Sequence, residues 1–183
     1  MSTFLDVLLP TRGAIYRMLL LALLGLLAIA VEAAPIGLDP HALPSPDLLA
    51  LLVAVMAVRR PDSVAIPLIC ALGIMRDLLT DIPAGAGALG LIALSEALRT
   101  LSQPLSRGSL LREWIAVSAI LFAMAAIQYI LVLLTFSQPP YLLALARQWA
   151  LTAAAWPLVF LLLRWLIGIR AAPTEGRERS HAG

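Results

Sequence analysis

The chain has 183 residues, of which 61% are hydrophobic and only 13% charged, and its mean hydropathy is +0.94. A soluble core of this size cannot hide so many apolar side chains, so the composition excludes a water-soluble globule and places the chain in a bilayer. One cysteine (Cys70), two widely separated histidines (His41 and His181) and a net charge of only +2 leave no basis for a disulfide framework, a zinc site or nucleic-acid binding.

The apolar runs predict an all-α integral membrane protein, a single polytopic domain over residues 1–170 with about six transmembrane helices. The first, near 15–34, has the roughly twenty residues that a helix rising about 1.5 Å per residue needs to cross about 30 Å of hydrocarbon. The second, near 47–59, is short; Pro46-Asp47 is its start signal, with Asp47 as N-cap, and Arg59-Arg60-Pro61 closes it. The third runs near 63–79 and the fourth, again short, near 83–99. Helices near 113–136 and 142–169 complete the set. The short members are expected to be packed among their neighbours. Residues 171–183, rich in Arg, Glu, Gly and Ser, read as a disordered cytoplasmic tail.

All the basic residues are arginines, and their distribution orients the bundle. Arg12 and Arg17 precede the first span, Arg59 and Arg60 separate the second from the third, Arg99, Arg107 and Arg112 separate the fourth from the fifth, and Arg164, Arg170, Arg177 and Arg179 sit at the end. The alternate connections carry none, so the positive-inside rule puts both termini in the cytoplasm. A cleavage after Val31-Glu32-Ala33 is the competing reading of the N-terminus. The arginine alternation favours a retained first helix, because it works only with that helix in place.

Residues 73 to 90, GIMRDLLTDIPAGAGALG, set Arg76, Asp77 and Asp81 beside a glycine-rich run. Gly85-Ala86-Gly87-Ala88-Leu89-Gly90 has the letters of a dinucleotide-binding loop but lacks the preceding strand and βαβ unit that give those letters meaning. It reads instead as the small face of a helix start, and no cofactor is implied. Ionised groups at this depth must face protein or water. Arg147, about 8 Å into the last helix, is the expected intramembrane partner of Asp77; exposed backbone N–H groups at the hairpin tip and the outer headgroups are the alternatives. Glu96 and Arg99, at i,i+3, are expected to pair. Trp149 and Trp156 are expected to pack between helices, and Trp114, Tyr141 and Trp165 to anchor at the interfaces.

The succession of Pro46, a short apolar span, Arg59-Arg60-Pro61, a second apolar span, then Gly73, Asp77-Leu78-Leu79 and Pro83-Ala84-Gly85 resembles the MreD family of rod shape-determining proteins. The matched stretch covers residues 46 to 98, with Arg76, Asp81 and Ala84 departing from the usual pattern. The resemblance implies a non-enzymatic scaffold of the bacterial inner membrane that supports peptidoglycan synthesis by the elongation machinery. Its implied partners are an MreC-like single-span protein, MreB, RodA, a penicillin-binding transpeptidase and membrane lipid. Arg59, Arg60, Pro61, Gly73, Asp77, Pro83 and Gly85 would carry structure or partner docking. The alternative is the substrate-binding membrane subunit of an energy-coupling-factor vitamin transporter, with a pocket lined by Glu32, Asp47, Asp77 and Arg147.

Overall fold

The computed structural model describes residues 12–34, 45–80, 85–106, 108–134 and 142–167. They form seven α-helices and one 3-10 turn: α1 (Arg12–Ala33), α2 (Leu48–Arg59), the turn (Pro61–Ser63), α3 (Ile66–Leu79), α4 (Ala86–Thr100), α5 (Ser102–Ser106), α6 (Leu110–Leu134) and α7 (Leu142–Ile167). There is no strand among the described residues. The tail beyond residue 170 lies outside them.

Helix α2 is the axis of the bundle. Its sequence, LLALLVAVMAVR, is apolar on every side, so no face of it can be left to a polar medium, and every residue from Leu49 to Val58 is buried. Helices α1, α4, α5 and α7 pack directly on it; α3 lies against α1 and α4, and α6 against α4 and α7. Asp47 caps its start by accepting from the Ala50 N–H at 2.8 Å, and the Arg60 N–H closes its end on the Met56 carbonyl at 2.7 Å. Proline then prevents continuation: Pro61 opens the 3-10 turn, and Pro67 sits in the first turn of α3, where its missing N–H has no helical partner to lose. This punctuation moves the start of α3 from the expected 63 to 66.

The remaining differences from the expected boundaries are local. α4 begins at Ala86 rather than 83, and a short helix the apolar pattern did not signal, α5, follows it. α1, α6 and α7 are long and apolar enough to cross a membrane. They present Leu19, Leu23 and Leu27, then Ile115, Phe122 and Ile127, then Leu158, Leu161 and Trp165 outward. Apolar faces of that extent are stable in hydrocarbon and not in water, which makes this a membrane protein. α6 and α7 are joined by two indole N–H groups that donate to backbone carbonyls of the facing helix, Trp114 to Ala153 at 2.8 Å and Trp149 to Ser118 at 3.0 Å. Trp114, expected at an interface, therefore also ties two helices together. Trp156 is buried and stacks on Phe160, with centroids 5.2 Å apart. Cys70 is half-buried on α3.

Candidate functional site

The charged residues that the sequence places beside apolar runs gather at two ends of the bundle. At the first, α3 ends and α4 begins. Gly85, the N-cap of α4, has φ +95°, a left-handed conformation that glycine adopts without strain, and it has no side chain with which to cap. The cap comes from the preceding helix. Asp77 Oδ2 accepts from the N–H groups of Gly85 at 2.9 Å, Gly87 at 3.0 Å and Ala88 at 3.2 Å. A carboxylate set against the positive end of a helix is held by both the hydrogen bonds and the macrodipole.

The glycines follow from that contact. A Cβ on Gly87 would occupy the position of the Asp77 carboxylate and approach Arg76 Nη2 to 2.9 Å. A Cβ on Gly73 would lie 2.5 Å from the Ala88 Cα, inside any allowed contact distance. The α3 and α4 backbones therefore meet at Gly73 and Ala88, and Asp77 locks the meeting point one turn further along. The pattern that spells a nucleotide loop is a helix-packing seam.

Arg76, one position earlier, turns to a different partner. Its Nη1 donates to both oxygens of Asp47, at 3.0 and 2.9 Å, joining the last turn of α3 to the first turn of α2. Asp47 also donates its own N–H to the Thr152 hydroxyl of α7 at 2.9 Å. Glu32, at the end of α1, completes the cluster: its Oε1 accepts from the N–H groups of Leu48 at 2.7 Å and Leu49 at 3.2 Å. Two carboxylates thus serve the N-terminus of α2, one from its own cap and one from the neighbouring helix. The expected pairing of Asp77 with Arg147 is not formed. Arg147 is exposed on α7, while Asp77 is 2% exposed and its Oδ2 is held by backbone N–H groups of α4, its buried Oδ1 having no hydrogen-bond partner among the described residues. Backbone donors at a helix start offer a carboxylate fixed partners without ordering a long side chain, and they are the ones the fold uses.

The opposite end of α2 carries the second cluster. Arg59 forms a two-pronged ion pair with Glu113 of α6, through Nη2 to Oε2 and through Nε to Oε1 at 3.2 Å. The two side chains are 8% and 0% exposed. The guanidinium lies 5.0 Å from the centre of the Phe160 ring of α7, so one arginine binds α2 to α6 and α7 together. Nearby, Arg17 of α1 donates from Nε to the Ser63 hydroxyl at 2.8 Å. Arg60 and Pro61 end α2 and begin the turn. Glu96 and Arg99 pair at 2.9 Å on α4, as their spacing requires. Pro83, Asp81 and Tyr141 fall outside the described residues.

Sequence reasoning missed Glu113 altogether, and it did not join Arg76 to Asp47. Each residue carried a signal: an ionisable group inside or beside an apolar run must have a partner. The signal does not name the partner, because residues 29 and 54 positions apart leave no common period in the sequence.

The side chains of these two clusters are occupied with helix ends and with each other, an arrangement that fixes a bundle. Among the described residues no group of three or more His, Cys, Asp and Glu is placed to hold a metal ion. A family model described as rod shape-determining protein MreD matches residues 12–166, most of the chain. No curated protein and no solved structure matches it.

Proposed function

The chain belongs to the MreD family of rod shape-determining proteins, and we propose on that basis that it is a non-enzymatic scaffold of the cell-elongation machinery in the bacterial inner membrane. In this reading six helices cross the bilayer, α1 to α4 and then α6 and α7, with both ends of the chain in the cytoplasm. The arginine alternation supports that orientation. α2, α3 and α4, at 12, 14 and 15 residues, reach only about 18 to 22 Å, and packing among longer neighbours lets their polar ends meet each other rather than lipid. In a background without Cys70, a cysteine replacing Ser45 is expected to react with an impermeant thiol reagent in intact spheroplasts. One replacing Ser106 is expected to stay unlabelled, and its labelling would reverse the orientation.

The observation that carries the scaffold reading is the family match, joined to the outward apolar faces of α1, α6 and α7. With so little of the chain outside the bundle, partners must be met through helix surfaces and short loops. We assign it an MreC-like single-span protein as direct partner, and MreB, RodA and a penicillin-binding transpeptidase as members of the same assembly. Co-purification of an MreC-like protein from native membranes, without added small molecule, is the test. Gly90 lines a groove of about 380 Å³ between α4 and α6 and reports on where that helix sits. Gly90→Leu that loses the partner while the bundle stays monodisperse places the contact in this groove. Retention of the partner places it elsewhere, and a wild-type chain that brings down no membrane partner contradicts the scaffold reading.

A polar cavity beside Glu32, Asp47 and Arg76 is the one feature that favours the transporter-subunit alternative. Its volume of about 170 Å³ is below the roughly 300 to 1,000 Å³ of pockets that enclose drug-sized ligands, which argues against a vitamin.

A further inference from the structure

α7 has two faces. Thr152, Trp156, Phe160 and Leu163 are buried on the side that packs on α2 and α6, and the opposite face, with Arg147, Ala150, Ala154, Leu158, Leu161 and Trp165, is exposed. The exposed positions recur at intervals of three and four, the spacing of a helix–helix seam. From Arg147 to Trp165 the seam rises about 27 Å, and Leu143, one turn further out, extends it to about 33 Å, enough to cross the hydrocarbon core of a bilayer.

Two features separate this face from one that meets only lipid tails. The first is charge. Among the described residues Arg147 is the one charged side chain exposed between the first and last turns of α1, α6 and α7, and it makes no ion pair among them. It lies about 8 Å into the helix, below Leu142 and Leu143, which are themselves exposed. A guanidinium at that depth is costly until a counter-charge meets it. The second feature is shape. Ala150 and Ala154, one and two turns below Arg147, offer only methyl groups, so a second helix can approach α7 closely there and lie beneath the guanidinium. α1, by contrast, faces out through its middle turns with Leu19, Leu23 and Leu27. Charge then selects the neighbour. A carboxylate on the approaching helix, level with Arg147, neutralises it. A wholly apolar helix would press hydrocarbon on the guanidinium, and a second copy docked through the same face would set Arg147 beside Arg147.

We propose that this face of α7 docks a membrane-spanning helix of a partner protein, one that carries an aspartate or glutamate in its outer half and pairs it with Arg147. This docking rests on the scaffold reading and gives its partner a chemistry and a place on the bundle. The partner carboxylate accepts from the guanidinium, Ala150 and Ala154 let the two backbones approach, and Leu158, Leu161 and Trp165 complete the contact toward the inner side.

The test places a photo-crosslinking amino acid at Ala154 of the full chain in membranes of the native host, with exposed Leu23 on α1 and Phe122 on α6 as control positions. A discrete protein adduct from Ala154 and none from Leu23 or Phe122 is expected, and mass spectrometry should find in it a membrane helix with a carboxylate in its outer half. Arg147→Glu should lower the adduct yield about tenfold or more, and arginine in place of that carboxylate should restore it. Arg147 lies outside the packed core, so this variant and the milder Arg147→Gln should keep wild-type thermal stability. Should Arg147→Glu misfold, Arg147→Gln reads the same loss. Adducts with lipid alone, a protein adduct unchanged by either variant, or a loss that the reversed charge does not restore would overturn the docking and leave Arg147 on the outer headgroups. Protein adducts from Leu23 or Phe122 alone would overturn it while sparing the scaffold reading, which fails only if no membrane partner co-purifies at all.

Discussion

Asp77→Ala is expected to undo the α3–α4 hairpin. The substitution strips one acceptor from three backbone N–H groups, and the bonds from Gly87 and Ala88 are buried. A buried donor left unpaired costs about 1 to 3 kcal/mol, so the loss is on the order of 3 kcal/mol or more. Such a loss is a large share of the stability of a typical domain. Fluorescence-detected size-exclusion chromatography after heating in mild detergent should show aggregation of the alanine variant well below the wild-type temperature. Asp77→Asn, which retains a carbonyl oxygen for the same donors, is expected to fall between the two. Combining Asp77→Ala with Arg147→Ala should give the sum of the separate effects, because the two side chains do not touch. Wild-type stability of Asp77→Ala would show that the α4 N-terminus finds its partners elsewhere.

Glu113→Ala is expected to be comparably damaging for a different reason. It leaves the Arg59 guanidinium, 8% exposed, without its counter-charge among α2, α6 and α7. Removing one member of a buried pair typically costs about 3 to 5 kcal/mol, whereas replacing both members by apolar groups of similar size is often neutral. Arg59→Met with Glu113→Leu should therefore be markedly more stable than Glu113→Ala, measured by the same thermal assay. A double variant as unstable as the single one would mean that Arg59 acts mainly through Phe160 and the Ser106 carbonyl, which its Nη1 approaches to 3.5 Å.

The two clusters show where the sequence is readable and where it is not. α2 declares itself through an apolar run with no polar face, and Asp47 through its place just before that run. Both follow from interactions within a few residues. The small face of α4 is equally legible, since glycine and alanine at successive positions have few other uses in a membrane helix. Asp77 was visible as a group that needed a partner. Its donors are backbone groups across a hairpin, and backbone groups leave no trace in composition, so an arginine of suitable depth was the nearest candidate. Glu113 sits at the start of a long apolar helix among Arg112, Trp114 and Ile115, where a carboxylate reads as the interfacial first turn of a span. Only packing draws it inward to Arg59. The 3-10 turn is legible in hindsight from Pro61 and Pro67, whose spacing separates two helices that hydropathy alone runs closer together.

These contacts describe a bundle in which charge joins the chain's own helices, and that it holds other proteins in place is the proposed role. The most direct measurement of that claim is complementation in the native host. Depletion of the chain should turn rods into rounded cells, and the wild-type gene should restore rods. Asp77→Asn at normal abundance should restore them as well, and Asp77→Ala should fail in proportion to its loss of folded protein in the membrane. Cells that keep their rod shape through full depletion, while growth depends instead on a supplied small molecule, would contradict the scaffold reading.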